Sequence, residues 1–422
     1  MSIRYRLRCK SLRPLFSNKQ LKSAKPLICI VTQSHLCRNP RVLKEAVTLA
    51  QNGYDVHILT SIYSGELLEQ DKLSIAGIGI TLHIIADNSR KDISSLWRRA
   101  TNKAAKLLVR AGLMQIPQAL GYGYRQYIKK SKALGAALYI CHQEMATCIG
   151  AVLIKQGYNV AFDLEDWYSE DLLPEARQER PLGLLKRVEK LALEKGAYVV
   201  TTSHALADAL QKAYGGQKPQ VIYNVFPTPN LPIAEKAFNV PLKLFWFSQT
   251  IGPGRGLEGF IELIAGFKTG LELHLLGTVS AAYQEQLRTL LAPQHQILFH
   301  PLVPENDLMA KIAGYDVGLA LEDTQPPSRN FTITNKFFQY IQAGLPVIAT
   351  ETAGQCEAFG EFGPGIMLRQ NDTAGNSAAL EAWLSNPSAV AAAAQKAGEA
   401  ALQYNWDTES IKLLKLVADA IK

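Results

Sequence analysis

The sequence predicts an α/β protein of two units of similar size, each a parallel sheet covered by helices. Two observations carry this. Short β-branched runs alternate with longer helix-period patterns along most of the chain, as repeated β-α-β units do. Around residues 227–241 the alternation lapses into Pro, Asn and Thr and then restarts, as at a linker between two units. The length of 422 residues suits about two to three domains.

In the first unit, strands are expected at 27–31, 54–59, 80–85, 137–141, 159–164, 197–201 and 220–223. A helix over 40–52 ends on Gly53. Others cover 183–195 and 205–214, the latter capped by Ser203, whose hydroxyl suits that place. In the second unit, strands are expected at 242–247, 271–275, 296–299, 317–321 and 346–349, with helices at 256–267 and 332–343. Gly344 closes the last helix, with Pro346 two residues on. The tail from about 376 reads as helical and Ala-rich. The expected division is a basic leader (1–25), an N-terminal domain (26–235), a C-terminal domain (236–400) and a terminal helix (401–422) that packs back on the N-terminal domain.

Composition narrows the class. Hydrophobic residues make up 47% and charged residues 19%, a globular balance. The apolar runs fall well short of the about twenty residues that a spanning helix needs. The net charge of +8 sits in Arg4, Arg6, Arg8, Lys10, Arg13, Lys19, Lys22 and Lys25, leaving the body neutral. Such a leader is solvated or drawn to an anionic membrane surface. The six cysteines include no CxxC pair, which suits a reducing cytoplasm. Cys141, His142 and Cys148 lack zinc-site spacing. Residues 90–132 are rich in Lys and Arg, with Asp92 as the one acid, and Trp97, Leu107 and Leu108 are interleaved among them. This reads as a basic amphipathic helix, either docked on a membrane or packed on the N-terminal domain. No nucleic-acid-binding motif accompanies the charge.

In parallel sheets ligands bind beyond the carboxyl ends of the strands, so function is read from the strand-to-helix loops. Gly252-Pro-Gly254-Arg255-Gly256 follows a strand and opens a helix. Its glycines allow close backbone approach, and Arg255 offers a bidentate cation to phosphate. Lys336 opens the helix after 317–321, where the helix dipole disfavours a cation unless an anion is bound there. Gln339, one turn on, can meet ribose hydroxyls. Asp163, Glu165 and Asp166 follow an N-terminal strand, and His35, Arg38 and Arg41 lie after the first strand.

These stretches resemble the retaining GT-B glycosyltransferases of family 4. The likeness runs through "NPRVLKEAVTLAQNGYDVHILT", "VVTTSHALADAL", "GPGRGLE", "NKFFQYIQAGLP" and "YNWDTES" and covers nearly the whole chain. It implies two Rossmann-like domains facing a central cleft and transfer of a sugar from a UDP- or GDP-activated donor to a glycan or lipid-linked acceptor. No metal cofactor is expected. On this reading Gly254, Arg255, Gly256, Phe331, Thr332, Ile333, Asn335, Lys336 and Gln339 bind the donor, with the amides near Phe331 to Ile333 meeting phosphates or sugar. Asp166, Glu165, Arg255 and Lys336 are the catalytic set. His35, Arg38, Arg41, Asp163 and Asp166 face the acceptor. The implied setting is cell-surface glycan synthesis, in the cytoplasm or peripherally on the inner membrane face.

The chain departs from the family at two places: Gln339 stands where a glutamate is usual, and Glu165 replaces a histidine; Phe331 stands where some members carry a second acid and many do not. A nucleotide-sugar epimerase of the same fold and a non-catalytic glycan- or partner-binding module are the competing readings.

Overall fold

The computed structural model describes residues 25–228 and 237–422. The basic leader therefore lies outside the described residues, apart from Lys25. Seven strands form the N-terminal sheet: β1 (Leu27–Val31), β2 (Asp55–Ile62), β3 (Ile80–Asp87), β4 (Leu138–His142), β5 (Val160–Leu164), β6 (Val199–Thr201) and β7 (Gln220–Val221). Six form the C-terminal sheet: β8 (Leu242–Thr250), β9 (Leu271–Thr278), β10 (Gln296–His300), β11 (Val317–Ala320), β12 (Val347–Thr350) and β13 (Gly365–Leu368). The spatial orders are 3-2-1-4-5-6-7 and 10-9-8-11-12-13. Every pairing among the described residues is parallel, for example Ile28 to Val56 and Leu138, or Leu319 to Ile348. The order of connection reverses between β1 and β4 in one sheet and between β8 and β11 in the other. Crevices open at such switch points, and the candidate site occupies both.

The helices include α1 (Pro40–Gln51), α2 (Ile93–Arg110), α3 (His204–Tyr214), α4 (Leu257–Ile264), α5 (Pro327–Phe331), α6 (Asn335–Gln342), α7 (Ala353–Gly360) and α8 (Trp406–Ala420). Asn39 caps α1 by accepting from the Val42 amide, with Pro40 at the first position, where its missing N–H costs nothing. Ser203 caps α3 through the Leu206 amide, as expected.

Three features differ from the sequence reading. The helix expected over 332–343 begins only at Asn335. Pro327 opens a separate turn, and Thr332 and Thr334 adopt extended ψ values of 151° and 137°. The basic 90–132 stretch is two helices, α2 and Tyr124–Leu134, because the Gly112 and Gly123 backbones turn at φ +71° and +79°. The strand β13 was not foreseen, being only Gly-Ile-Met-Leu behind Gly363-Pro364.

The terminal helix α8 starts at Trp406, after a break at Tyr404 and Asn405, and crosses back to the N-terminal domain. Trp406 Nε1 donates to Thr48 Oγ1 at 2.9 Å. Glu409 accepts the Tyr223 amide at 3.0 Å. Leu413 and Val417 are buried in the same cluster as Val42, Ala46 and Leu49.

One close approach sets α6 on its sheet. Gly318 of β11 lies beneath the Tyr340 ring, where an added Cβ would stand 2.2 Å from Tyr340 Cγ. The Tyr340 hydroxyl then reaches the Leu319 carbonyl at 3.3 Å. Gly318→Ala is expected to destabilise the protein by about 1–3 kcal/mol, the usual cost of overpacking, measured by urea unfolding. Unchanged stability would contradict this account of how α6 is seated.

Candidate active site

The C-terminal face of the cleft is built on the β8 and β11 loops. Gly254 and Gly256 hold φ of +73° and +75°, which glycine alone adopts without strain. They carry Arg255, half-buried, to the start of α4. Lys336 lies in the first turn of α6, 3.5 Å from Glu322 Oε1, with both side chains near 10% exposed. Its Nζ sits 5.4 Å from the Trp246 ring centroid. Burial lowers its pKa. Glu322 opposes that shift, while the charges of Arg255 and Arg329 add to it. Arg329 donates from Nη1 to the Gly254 carbonyl at 3.0 Å, tying α5 to the glycine loop. Three cations thus converge where the sequence reading found two. Glu322 is held in turn by Thr350, whose hydroxyl accepts from its amide at 2.8 Å and donates to its carbonyl at 2.7 Å.

Other expected donor residues divide. Asn335 is exposed beside Lys336, and Gln339 is buried one turn further along α6. The expectation that the Thr332 amide meets a ligand is corrected. The Thr332 amide is already bonded to the Ser328 carbonyl at 3.1 Å, and the Phe331 side chain packs on the N-terminal core. Ile333 is buried.

Across the cleft lies an acid-rich network. Asp163 is buried and accepts from Arg41 Nε at 2.6 Å. Arg41 also reaches the Ile222 carbonyl at 2.8 Å. His142, at the end of β4, bonds Glu165 through Nδ1 at 3.1 Å and Glu45 through Nε2. Burial opposes its charge, but Glu45 and Asp163 prevail and push its pKa up to about 10. Burial alone would raise Glu165, but the His142 hydrogen bond and charge bring it below the ordinary value. Glu45, His142 and Asp163 bring ligand-type atoms within 4.8 Å of one another. Arg41 pairs with Asp163 inside this cluster, while Arg41 Nη2 and Asp163 Oδ1 are buried without a hydrogen-bond partner. Asp166 is different: burial first, then Asp171 and Glu165, push its carboxyl up to about 8. Asp171 in turn feels Arg329 and Arg255 across the cleft.

Three acceptor-side expectations are therefore corrected. His35 is fully buried, with Nδ1 at 2.6 Å from Asp71 and Nε2 accepting the Tyr63 and Ser64 amides. Arg41 and Asp163 are internal supports that no acceptor can reach. Arg38 does face the cleft, reaching Gln249 of β8 at 3.0 Å. The sequence reading missed Arg329, Glu322 and His142. The last two stand at carboxyl ends of strands, the rule that led to 163–166, and Arg329 lies within a loop already singled out.

Two parallel sheets meeting at their carboxyl edges around a cleft define the GT-B fold. No protein-family model matches the chain, and no curated protein sequence matches it. Solved structures do match over nearly its whole length. A sucrose-phosphate synthase from Thermosynechococcus elongatus superposes with a TM-score of 0.67 at 14% identity, over 93% of this chain and 98% of that one. Anabaena HepE in complex with UDP-glucose gives 0.63 at 15% identity, over 93% and 99%. WaaG, a glycosyltransferase involved in lipopolysaccharide biosynthesis, gives 0.61 at 15% identity, over 94% and 99%. At these identities the shared property is the fold.

The state of Asp166 has a measurable sign. Its folded pKa lies above the ordinary value of 3.8, so the folded state holds a proton that the unfolded state releases. Stability therefore falls as pH rises from about 4 to about 8. Asp166→Asn, which cannot ionise, is expected to gain stability over the wild type across that window, by denaturation at pH 5 and pH 8.5. A constant difference between the two proteins would contradict the buried-acid assignment.

Proposed function

We propose that the protein transfers a sugar from a nucleotide-diphosphate donor to an acceptor hydroxyl with retention of configuration, in the assembly of a cell-surface glycan. The observation that carries this reading is the convergence of Arg255, Arg329 and Lys336 beyond β8 and β11, facing Glu165, Asp166 and Asp171. Cations fixed beforehand suit a leaving diphosphate, whose charge grows as the glycosidic bond breaks. They supply what a metal would otherwise provide, so no metal cofactor is proposed. The UDP-glucose bound to HepE favours UDP over GDP. Gln339 takes the ribose side. Asp166, held protonated near neutral pH, serves as a hydrogen-bond donor to a sugar hydroxyl, while the Glu165 carboxylate orients the acceptor.

The acceptor is proposed to be lipid-linked and reached from an anionic membrane surface. Along α2, Ile93, Trp97 and Leu107 are 86%, 74% and 57% exposed. These residues recur at helical spacing, so the helix presents an apolar face to solvent. Exposed Arg99, Lys103 and Arg110 flank it, which suits acidic headgroups. No helix among the described residues is long and apolar enough to cross a membrane.

Lys336→Ala or Arg255→Ala is expected to lower turnover about a hundredfold or more, comparable to losing a strong electrostatic donor. Near-normal turnover in both would defeat the assignment. For the membrane, Trp97→Glu is expected to abolish flotation with liposomes containing acidic lipid. Equal recovery with and without acidic lipid would remove the electrostatic part of the proposal.

A further inference from the structure

Arg329 stands on an element that its own domain holds only in part. The helix α5 has five residues, too few to persist without packing, and much of its packing comes from the other domain. Trp167 donates its amide to Ser328 Oγ at 3.0 Å. Its ring lies 5.9 Å from that of Phe331, centroid to centroid. Phe331 packs against the N-terminal core although it belongs to the C-terminal domain. Ser203, while capping α3, donates its hydroxyl to the Phe331 carbonyl.

A second contact backs the first. Glu357 of α7 accepts the His204 and Ala205 amides at 2.9 Å each, and the Tyr223 hydroxyl at 2.7 Å. This fixes α7 on the first turn of α3. Behind α5, α7 is pressed close: an added Cβ on Gly354 would stand 2.4 Å from the Thr332 carbonyl, and the Ala353 amide donates to Asn330 Oδ1 at 3.2 Å.

We propose that Trp167, Ser203 and Phe331 are positioning residues for the donor site. The N-terminal domain holds α5 and through it sets Arg329 against the glycine loop. The phosphate grip is then complete only while the two domains are in contact. Trp167 directly follows Asp166, so the acceptor side of the cleft governs the third donor cation. For its ligand this inference rests on the proposed nucleotide donor; for its geometry it does not.

Two measurements on the full chain test it. The first is hydrogen exchange without ligand. The Arg329 and Thr332 amides are bonded to Pro326 and Ser328 carbonyls, so they report local opening of α5. Phe331→Ala is expected to speed exchange across 327–333 by about tenfold or more, with peptides of β8 and β11 unchanged. Ser328→Ala, a milder variant, should act in the same direction, and unchanged exchange in both overturns the clamp. The second is calorimetry with UDP. Arg329→Ala and Phe331→Ala should each weaken binding about tenfold, as for one charge-assisted hydrogen bond. The double variant should bind no more weakly than Arg329→Ala, because the clamp acts through Arg329. Additive losses would mean that Phe331 acts by another route and would overturn the proposal. A wild-type chain that binds neither UDP nor GDP would overturn the nucleotide reading instead, and the exchange result alone would then decide the clamp.

Discussion

Like charges repel most where water is scarce, and the C-terminal face of the cleft gathers Arg255, Arg329 and Lys336 there. What makes that arrangement tolerable sets the local architecture. Glu322 partners Lys336 and is itself pinned by Thr350. The Trp246 ring offers the ammonium its π-face. Arg329 spends one N–H on the Gly254 carbonyl. Even so the Lys336 pKa stays depressed, and an incoming diphosphate would relieve the strain. Repulsion of this kind is the cost of a site prepared for an anion.

The N-terminal side shows the opposite excess. Asp163, Glu165, Asp166 and Asp171 crowd the end of β5 and its loop, and burial penalises each charge. The cations Arg41 and His142 neutralise the inner part of the cluster. The outer part keeps a proton on Asp166. Nearby acids therefore differ with their surroundings: Asp163 is an internal partner of Arg41, the His142 contact lowers the Glu165 pKa, and burial with like charges raises that of Asp166. Where the facing loops meet, the Asp171 carboxyl feels the Arg329 and Arg255 charges, and the Trp167–Phe331 contact lies beside them.

Much of this was legible in the sequence. The alternation of strands and helices and the Pro-rich break point to two parallel sheets, and the glycines around Arg255 and the misplaced charge of Lys336 point to the two loops that bring Arg255 and Lys336 close enough to lower the Lys336 pKa. Local pattern does not show which way a loop residue turns. His35 and Arg38 lie three residues apart, yet one is sealed against Asp71 and the other reaches Gln249. The Arg41–Asp163 pair joins residues 122 apart, a tertiary fact that no window reveals. Phe331 was read through a family position for a ligand-facing acid, whereas an apolar side chain there gains more by burial against the other domain. The apolar period that suggests a helix from 332 runs through Thr332 and Thr334, whose extended backbone delays the helix to Asn335.

On the proposed function, the charge of a diphosphate is what the three cations recognise. Isothermal titration of UDP against uridine tests it most directly, because the two share base and ribose and differ in the charge that Arg255, Arg329 and Lys336 would hold. The account predicts that UDP binds about a hundredfold or more tightly than uridine, as two charge-assisted contacts would give, and that the advantage shrinks as salt rises. Equal affinities for the two, or a UDP advantage insensitive to salt, would contradict it.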